Sequence, residues 1–215
     1  MIWLKLSLAA SLIFMISIIS YYFYRFNQLY HPNAQAKPKG SPRKGKIYSL
    51  SLGLLPWEKE STRQFWPTYV LGIVYHLAIA LAFLRLLAEL FGLSILSSPF
   101  FVVFLLMGTI SGLGLFFRRW LNPALRSISL PDDYLANLLV DFFLFAAAMS
   151  LWQRTSLFIF YILGLLLALY IPFGKIRHCF FFIPSRLIFG DYYGRKGLFP
   201  PPNRKDPFKK AAKAR

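Results

Sequence analysis

The chain has 215 residues, 57% hydrophobic and 19% aromatic, and carries 25 Lys and Arg against 8 Asp and Glu for a formal charge of +17. Only 15% of its residues are charged, against roughly a quarter in a soluble domain, and they gather into a few segments, which excludes one ordinary soluble domain. A single cysteine excludes a disulfide framework, an iron–sulfur cluster ligated within the chain and a Cys-rich zinc site, so any metal here depends on histidine.

Five apolar runs, 2–24, 67–92, 95–117, 134–152 and 155–174, approach the ~20 residues that cross the hydrocarbon of a bilayer. The first begins near Lys5 as a signal peptide would, but it continues through Tyr24 and no small-x-small cleavage site follows, so it reads as a retained helix. Between the first two runs lies a basic segment, 25–66, in which Gln35–Lys46 mixes Pro38, Gly40, Ser41, Pro42 and Gly45 with cations. That is the composition of a linker without rigid structure. The third run holds Gly108-x-x-x-Gly112 and Gly114, small residues that let a helix approach closely, more often inside a bundle than across a dimer. Beyond the fifth run, Phe189–Gly197 combines aromatics and glycines in what reads as a structured interfacial turn suited to docking a soluble subunit, followed by a basic tail. The chain thus divides into a first transmembrane helix (1–24), a basic loop (25–66), a four-helix membrane region (67–178) and an interfacial segment with its tail (179–215).

The expected fold is an all-α integral membrane bundle of five transmembrane helices. Eight Lys and Arg lie in 25–66, three in 118–133 and eleven from 175 onward, leaving only Lys5, Arg85 and Arg154 elsewhere. By the positive-inside rule this puts the N-terminus outside and the basic segments and C-terminus in the cytoplasm. The charge then serves orientation and contact with anionic lipid or an acidic partner. Nucleic acid is not an expected partner, because the tail has neither a reader fold nor stacking aromatics. There is no GxxxxGK[ST], GxGxxG, HExxH or GxSxG motif.

Ionisable residues at membrane depth are functional candidates. His76, on the second run, reads as a hydrogen-bonding residue or a ligand. His178 follows Ile171–Arg177 where the fifth run reaches the cytoplasmic interface, and by itself is an ordinary interfacial residue. The pair changes the reading: the second helix runs outward and the fifth inward, so both imidazoles belong to the same side. Two imidazoles from facing helices are what a six-coordinate b haem needs beyond its porphyrin nitrogens. Gly72, one turn before His76, together with Ala78, Ala80, Gly164 and Gly174, would leave room for the macrocycle. Counted along straight helices, the two histidines differ in depth by ~10 Å, which tilt, a kink at Pro172 or misplaced helix ends must absorb. His31 reads as interfacial, and Cys179, pointing about 100° from His178 on a helix, as packing.

His76, the Arg118-Arg119 connection through Leu125-Arg126-Ser127 to Pro131-Asp132-Asp133, and Ile171-Pro172-Phe173-Gly174-Lys175-Ile176-Arg177-His178 resemble the cytochrome b membrane subunits of the respiratory nitrate reductase gamma type. That group includes the related subunits of heterodisulfide reductases and of the membrane complex linked to sulfite reduction, and the resemblance covers roughly residues 65–185. The family usually stacks two haems, each held by one His from the second span and one from the fifth. This chain has Arg85, Leu86 and Leu87 where the second His of span two would fall, and no His in Ser156–Tyr161, so the resemblance leaves His76 and His178 to hold a single haem b.

The resemblance further implies electron exchange between membrane quinone and a cytoplasmic iron–sulfur or other redox subunit, in a bacterial or archaeal cytoplasmic membrane. Quinone chemistry needs groups that bond carbonyl oxygens and move protons. Arg85 and Glu89 are candidates, although an i,i+4 ion pair near the outer interface is the better reading. Asp141, ~12 Å into the fourth span, is open among bonding an internal Arg, orienting His76, and handling protons beside quinone. Arg118, Arg119 and Arg126 stand where they would meet haem propionates, or serve orientation and lipid contact. The expected function is electron transfer through one bis-His haem within a quinone-linked oxidoreductase. The alternative is a haem-free anchor whose basic face docks soluble subunits.

Overall fold

A computed structural model describes residues 1–29, 37–55, 65–93, 98–153 and 155–201. Among them there is no strand. The helices are α1 (Ile2–Leu29), α2 (Pro42–Leu50), α3 (Trp66–Leu90), α4 (Pro99–Leu121), α5 (Pro123–Ser127), α6 (Pro131–Trp152), α7 (Ser156–Tyr170) and α8 (His178–Arg195), with short 3-10 turns at Leu52–Leu54 and Lys175–Arg177. They fall into two compact units, one of residues 1–29 and 65–178, the other of 30–64 and 179–215.

The first unit is a bundle of five apolar helices. Helices α1, α3, α4 and α6 are each long and apolar enough to cross a membrane. Three of them carry a proline in the first turn, where its missing N–H has no intrahelical partner to lose. Helix α3 stops at Gly92, whose φ of 75° lies in the left-handed region that glycine adopts without penalty, and Leu93 N–H closes the turn on Ala88 O at 2.9 Å.

The fifth span departs from expectation. Helix α7 ends at Tyr170, giving 15 residues and ~22 Å where an unbroken run to 174 was expected. Pro172 cannot donate to the helix ladder and disfavours helical geometry at Ile171. The bundle thus has four helices long and apolar enough to cross a membrane, and α7, its fifth, stops short at the break.

Helix α4 packs on α3 and α6, and α7 packs on α1 and α6. Helix α1 contributes Leu8, Leu12, Met15 and Ile19, a single stripe at helical spacing. Close approach depends on small residues. A Cβ on Gly108 would lie 2.2 Å from Ala78 Cβ, and one on Gly164 would lie 2.7 Å from Leu86 Cδ2. The Gly108-x-x-x-Gly112 pair therefore packs inside the bundle. Outer faces stay apolar, with Ile110, Leu77 and Phe142 exposed, as lipid contact requires.

The second unit replaces the expected linker with ordered structure. Ser41 Oγ caps α2 by accepting from Lys44 N–H at 3.3 Å, and Pro42 opens the helix. Helix α2 lies directly on α8: a Cβ on Gly45 would be 2.2 Å from Gly190 O, and one on Gly190 would be 2.6 Å from Lys46 Cα. Lys39 and Gly40 N–H groups donate to Arg195 O at 2.8 and 3.1 Å, and Ser49 Oγ donates to Arg186 O at 2.8 Å. Asp191 joins Lys46 at 2.9 Å and Arg195 at 2.7 Å. Gly190 and Gly194 thus seat one helix on another, and the expected turn before the basic tail begins beyond Arg195, at Gly197 with its φ of 71°. Phe199 closes the unit among Tyr48, Phe189 and Tyr193, with ring centroids 5.0, 5.5 and 5.1 Å away. His31, Arg154 and the basic tail from 203 onward lie outside the described residues.

Candidate functional site

His76 lies ten residues into α3, and His178 is the first residue of α8, immediately past the 3-10 turn. Both belong to the first unit. Each offers one ring nitrogen, these two atoms lie within 4.8 Å of one another, and both residues are exposed. The ~10 Å depth mismatch expected from straight helices is absent because residues 171–177 do not extend α7. The break, where the sequence suggested only a kink, brings His178 to His76.

Each ring has its Nδ1 beside a backbone carbonyl. His76 Nδ1 stands 2.6 Å from Gly72 O, and His178 Nδ1 stands 2.5 Å from Lys175 O. A carbonyl can only accept, so each Nδ1 carries the proton, and in the neutral ring Nε2 then holds the lone pair that a metal binds. Gly72 thus serves through its carbonyl, and no atom lies within 4 Å of where its Cβ would stand. Three of the other four small residues do not leave room, and the fourth, Ala80, is exposed. Ala78 meets Gly108, Gly164 is filled by Leu86, and a Cβ on Gly174 would strike the Tyr170 ring. Cys179 is exposed, not packed as expected.

What fixes His178 is a carboxylate clamp at the start of α6. Asp132 Oδ1 accepts from Tyr170 Oη, the last residue of α7, and Asp132 Oδ2 accepts from Lys175 N–H at 3.0 Å. One carboxylate therefore spans both sides of the break. Asp133 accepts from Leu130 N–H at 2.8 Å, closing the first turn of α6, and pairs with Lys175 at 2.5 Å and with Arg119 at 2.9 Å. Three separate stretches, Arg118-Arg119, Pro131-Asp132-Asp133 and Gly174-Lys175, meet here. The sequence offered these stretches as motifs but gave no role to Asp132, Asp133, Tyr170 or Lys175. Of the expected propionate cations, Arg119 is committed to Asp133, Arg118 lies over the Phe65 ring at 5.7 Å, and Arg126 is exposed on α5.

Asp141 is 3% exposed. Its Oδ2 accepts from Asn137 Nδ2 at 2.8 Å, and Tyr75 Oη donates to Asn137 O at 3.2 Å. Oδ1 has no hydrogen-bond partner. Of the three roles open to Asp141, it bonds neither an internal Arg nor the Nδ1 of His76, whose acceptor is Gly72 O.

Arg85 and Glu89 form the expected i,i+4 pair at 3.4 Å. Arg85 is more deeply committed than that pairing implied. At 2% exposure it donates to Ala147 O at 2.7 Å and to Ser150 Oγ at 2.6 Å on α6, and stands over the Phe160 ring at 5.1 Å. Lys5 Nζ donates to Glu89 O at 2.8 Å. Two of the three cations outside the basic segments are thus held within the bundle. Neither Arg85 nor Asp141 presents a surface to the bilayer where a quinone would dissolve.

The chain matches no protein-family model, no curated protein and no solved structure.

Proposed function

We propose that the protein is a membrane cytochrome b subunit that passes electrons between the quinone pool and a cytoplasmic iron–sulfur or other redox partner through a single bis-His haem b. The observation that carries this reading is the approach of His76 and His178, contributed by segments 102 residues apart. His76 and His178 would hold the group through neutral imidazoles, donors that suit haem iron. Such a group would supply one-electron chemistry in a low-dielectric layer, with its potential set by ligands and burial.

The remaining residues hold and orient. Gly72 O and Lys175 O fix the ring tautomers, as carbonyl partners of metal-bound histidine do. Asp132 and Asp133 hold the break that carries His178. Arg118 and Arg126 remain candidates for propionate contact. The charge distribution supports a cytoplasmic site for the basic segments and an outer N-terminus, in a bacterial or archaeal cytoplasmic membrane. Quinone would bind at the lipid-facing surface, and Glu89, less buried than Arg85 or Asp141, is the expected acid nearest to it.

The test is quinol-driven reduction of the purified chain in lipid, followed by visible absorption. The native chain should show a b-type band that develops on adding quinol, and His76→Ala and His178→Ala should each abolish it. A native band that persists in both variants would refute the axial assignment. A chain without any band in its intact complex would favour the haem-free anchor.

A further inference from the structure

Asp141 is a carboxyl in the middle of a membrane-spanning helix, and among the described residues no cation pairs with it. Its neighbours come from three helices. Helix α3 gives Tyr75, helix α6 gives Asn137, and helix α4 gives Gly112, whose added Cβ would stand 1.9 Å from Asp141 Oδ1 and 2.4 Å from Tyr75 Cε2. Thr109 and Ser111 are the other buried polar residues of α4, and Thr109 donates to its own helix at Leu105 O, 3.1 Å away. The bundle's buried cation, Arg85 of α3, is bonded to α6 at Ala147 and Ser150, six and nine residues beyond Asp141. At the other end, Arg119 and Lys175 are taken by Asp133.

An ionised carboxylate in this setting has the Asn137 amide and the Tyr75 hydroxyl beside it, an Oδ1 without a hydrogen-bond partner and no cation among the described residues, in a medium that penalises an unpaired charge. A neutral acid has no such penalty. The same helix also supplies an approach. Asp133, Asn137 and Asp141 stand at i, i+4 and i+8 and share a face of α6, so that Asn137 occupies the step between the polar end of the helix and the buried acid. Its Nδ2 lies 2.8 Å from Asp141 Oδ2 and 3.2 Å from Gly112 O.

We propose that Asp141 is an intramembrane proton-binding site, neutral at rest, which exchanges its proton along the Asp133–Asn137–Asp141 face of α6. On release, the carboxyl O–H bond breaks, the electron pair stays on Asp141 and the proton passes to water entering beside Asn137. Uptake reverses the step. The inference stands on the fold alone and holds whether or not His76 and His178 carry iron.

Infrared spectroscopy of the full chain in lipid at neutral pH tests it. The chain has eight acids, so one protonated carboxyl is a resolvable fraction. A carboxylic-acid carbonyl band should be present, shift in deuterated water and vanish in Asp141→Asn. Replacing Asn137 with Leu should slow that deuterium shift. Thermal unfolding in detergent gives an independent readout. Asp141→Asn, which keeps the neighbouring contacts of a neutral acid, should unfold close to the native chain, whereas a large loss would mark a structural role for the carboxyl. Absence of the band in the native chain, or its persistence in Asp141→Asn, overturns the site. Unchanged deuteration with Asn137→Leu overturns the route.

Discussion

At the scale of single residues, the polar groups of this bundle are each held by a particular geometry. Arg85 is accommodated in the interior by Ala147 O, Ser150 Oγ, Glu89 and the face of Phe160, while its Nε has no hydrogen-bond partner. Its spacing to Glu89 was readable from the sequence. Its bonds to α6 were not, since they depend on which faces of α3 and α6 meet. Gly112 is the tightest position, with Asp141 Oδ1 only 1.9 Å from an added Cβ. Gly112→Ala should therefore destabilise the bundle by about 1–3 kcal/mol, the range for overpacking, measured by thermal or detergent denaturation. Gly72→Ala, which meets nothing within 4 Å, should leave stability nearly unchanged apart from helix propensity, which favours Ala. The contrast between two glycines on adjacent spans separates packing from propensity.

At the scale of elements, the break after α7 and the pairing of α2 with α8 were the least accessible from sequence. The proline at 172 signalled an interruption, but where the chain goes next is set by Asp132, which bonds Tyr170 on one side and Lys175 N–H on the other. Asp132→Ala should free both, raising amide hydrogen exchange at Lys175 and costing about 0.5–1.5 kcal/mol of stability, the net worth of a typical hydrogen bond, since the Tyr170 donor is half-buried and Lys175 N–H is exposed. The α2 segment was hidden because its glycines and prolines have the composition of a linker. In the fold those same glycines permit contact between backbones, and Pro42 begins a helix that Ser41 caps. Replacing Gly190 with Val should separate α2 from α8, since its Cβ would stand 2.6 Å from Gly45 O and Lys46 Cα. Faster proteolysis between residues 37 and 55, with the membrane bundle intact, would show it.

At the scale of the whole molecule, apolar run length and the distribution of Lys and Arg carried most of the architecture, because hydrocarbon thickness and backbone hydrogen bonding leave few solutions for a chain this apolar. Four of the five runs correspond closely to continuous helices, and the fifth is shortened by its break. The histidine pair was visible as a possibility of topology. Its approach depended on the break, so straight-helix counting placed the rings too far apart. The clamp that holds His178 combines residues from α4, α6 and the turn after α7, and no local sequence signal announces it.

The central claim is that His76 and His178 together hold one haem, and the most direct measurement is a reduced-minus-oxidised visible spectrum with haem quantification on the purified chain and on His76→Ala and His178→Ala. A b-type difference spectrum with one haem per chain, lost in either variant, is the expected result. A colourless native chain purified within its intact complex, or full haem content in either variant, would contradict it.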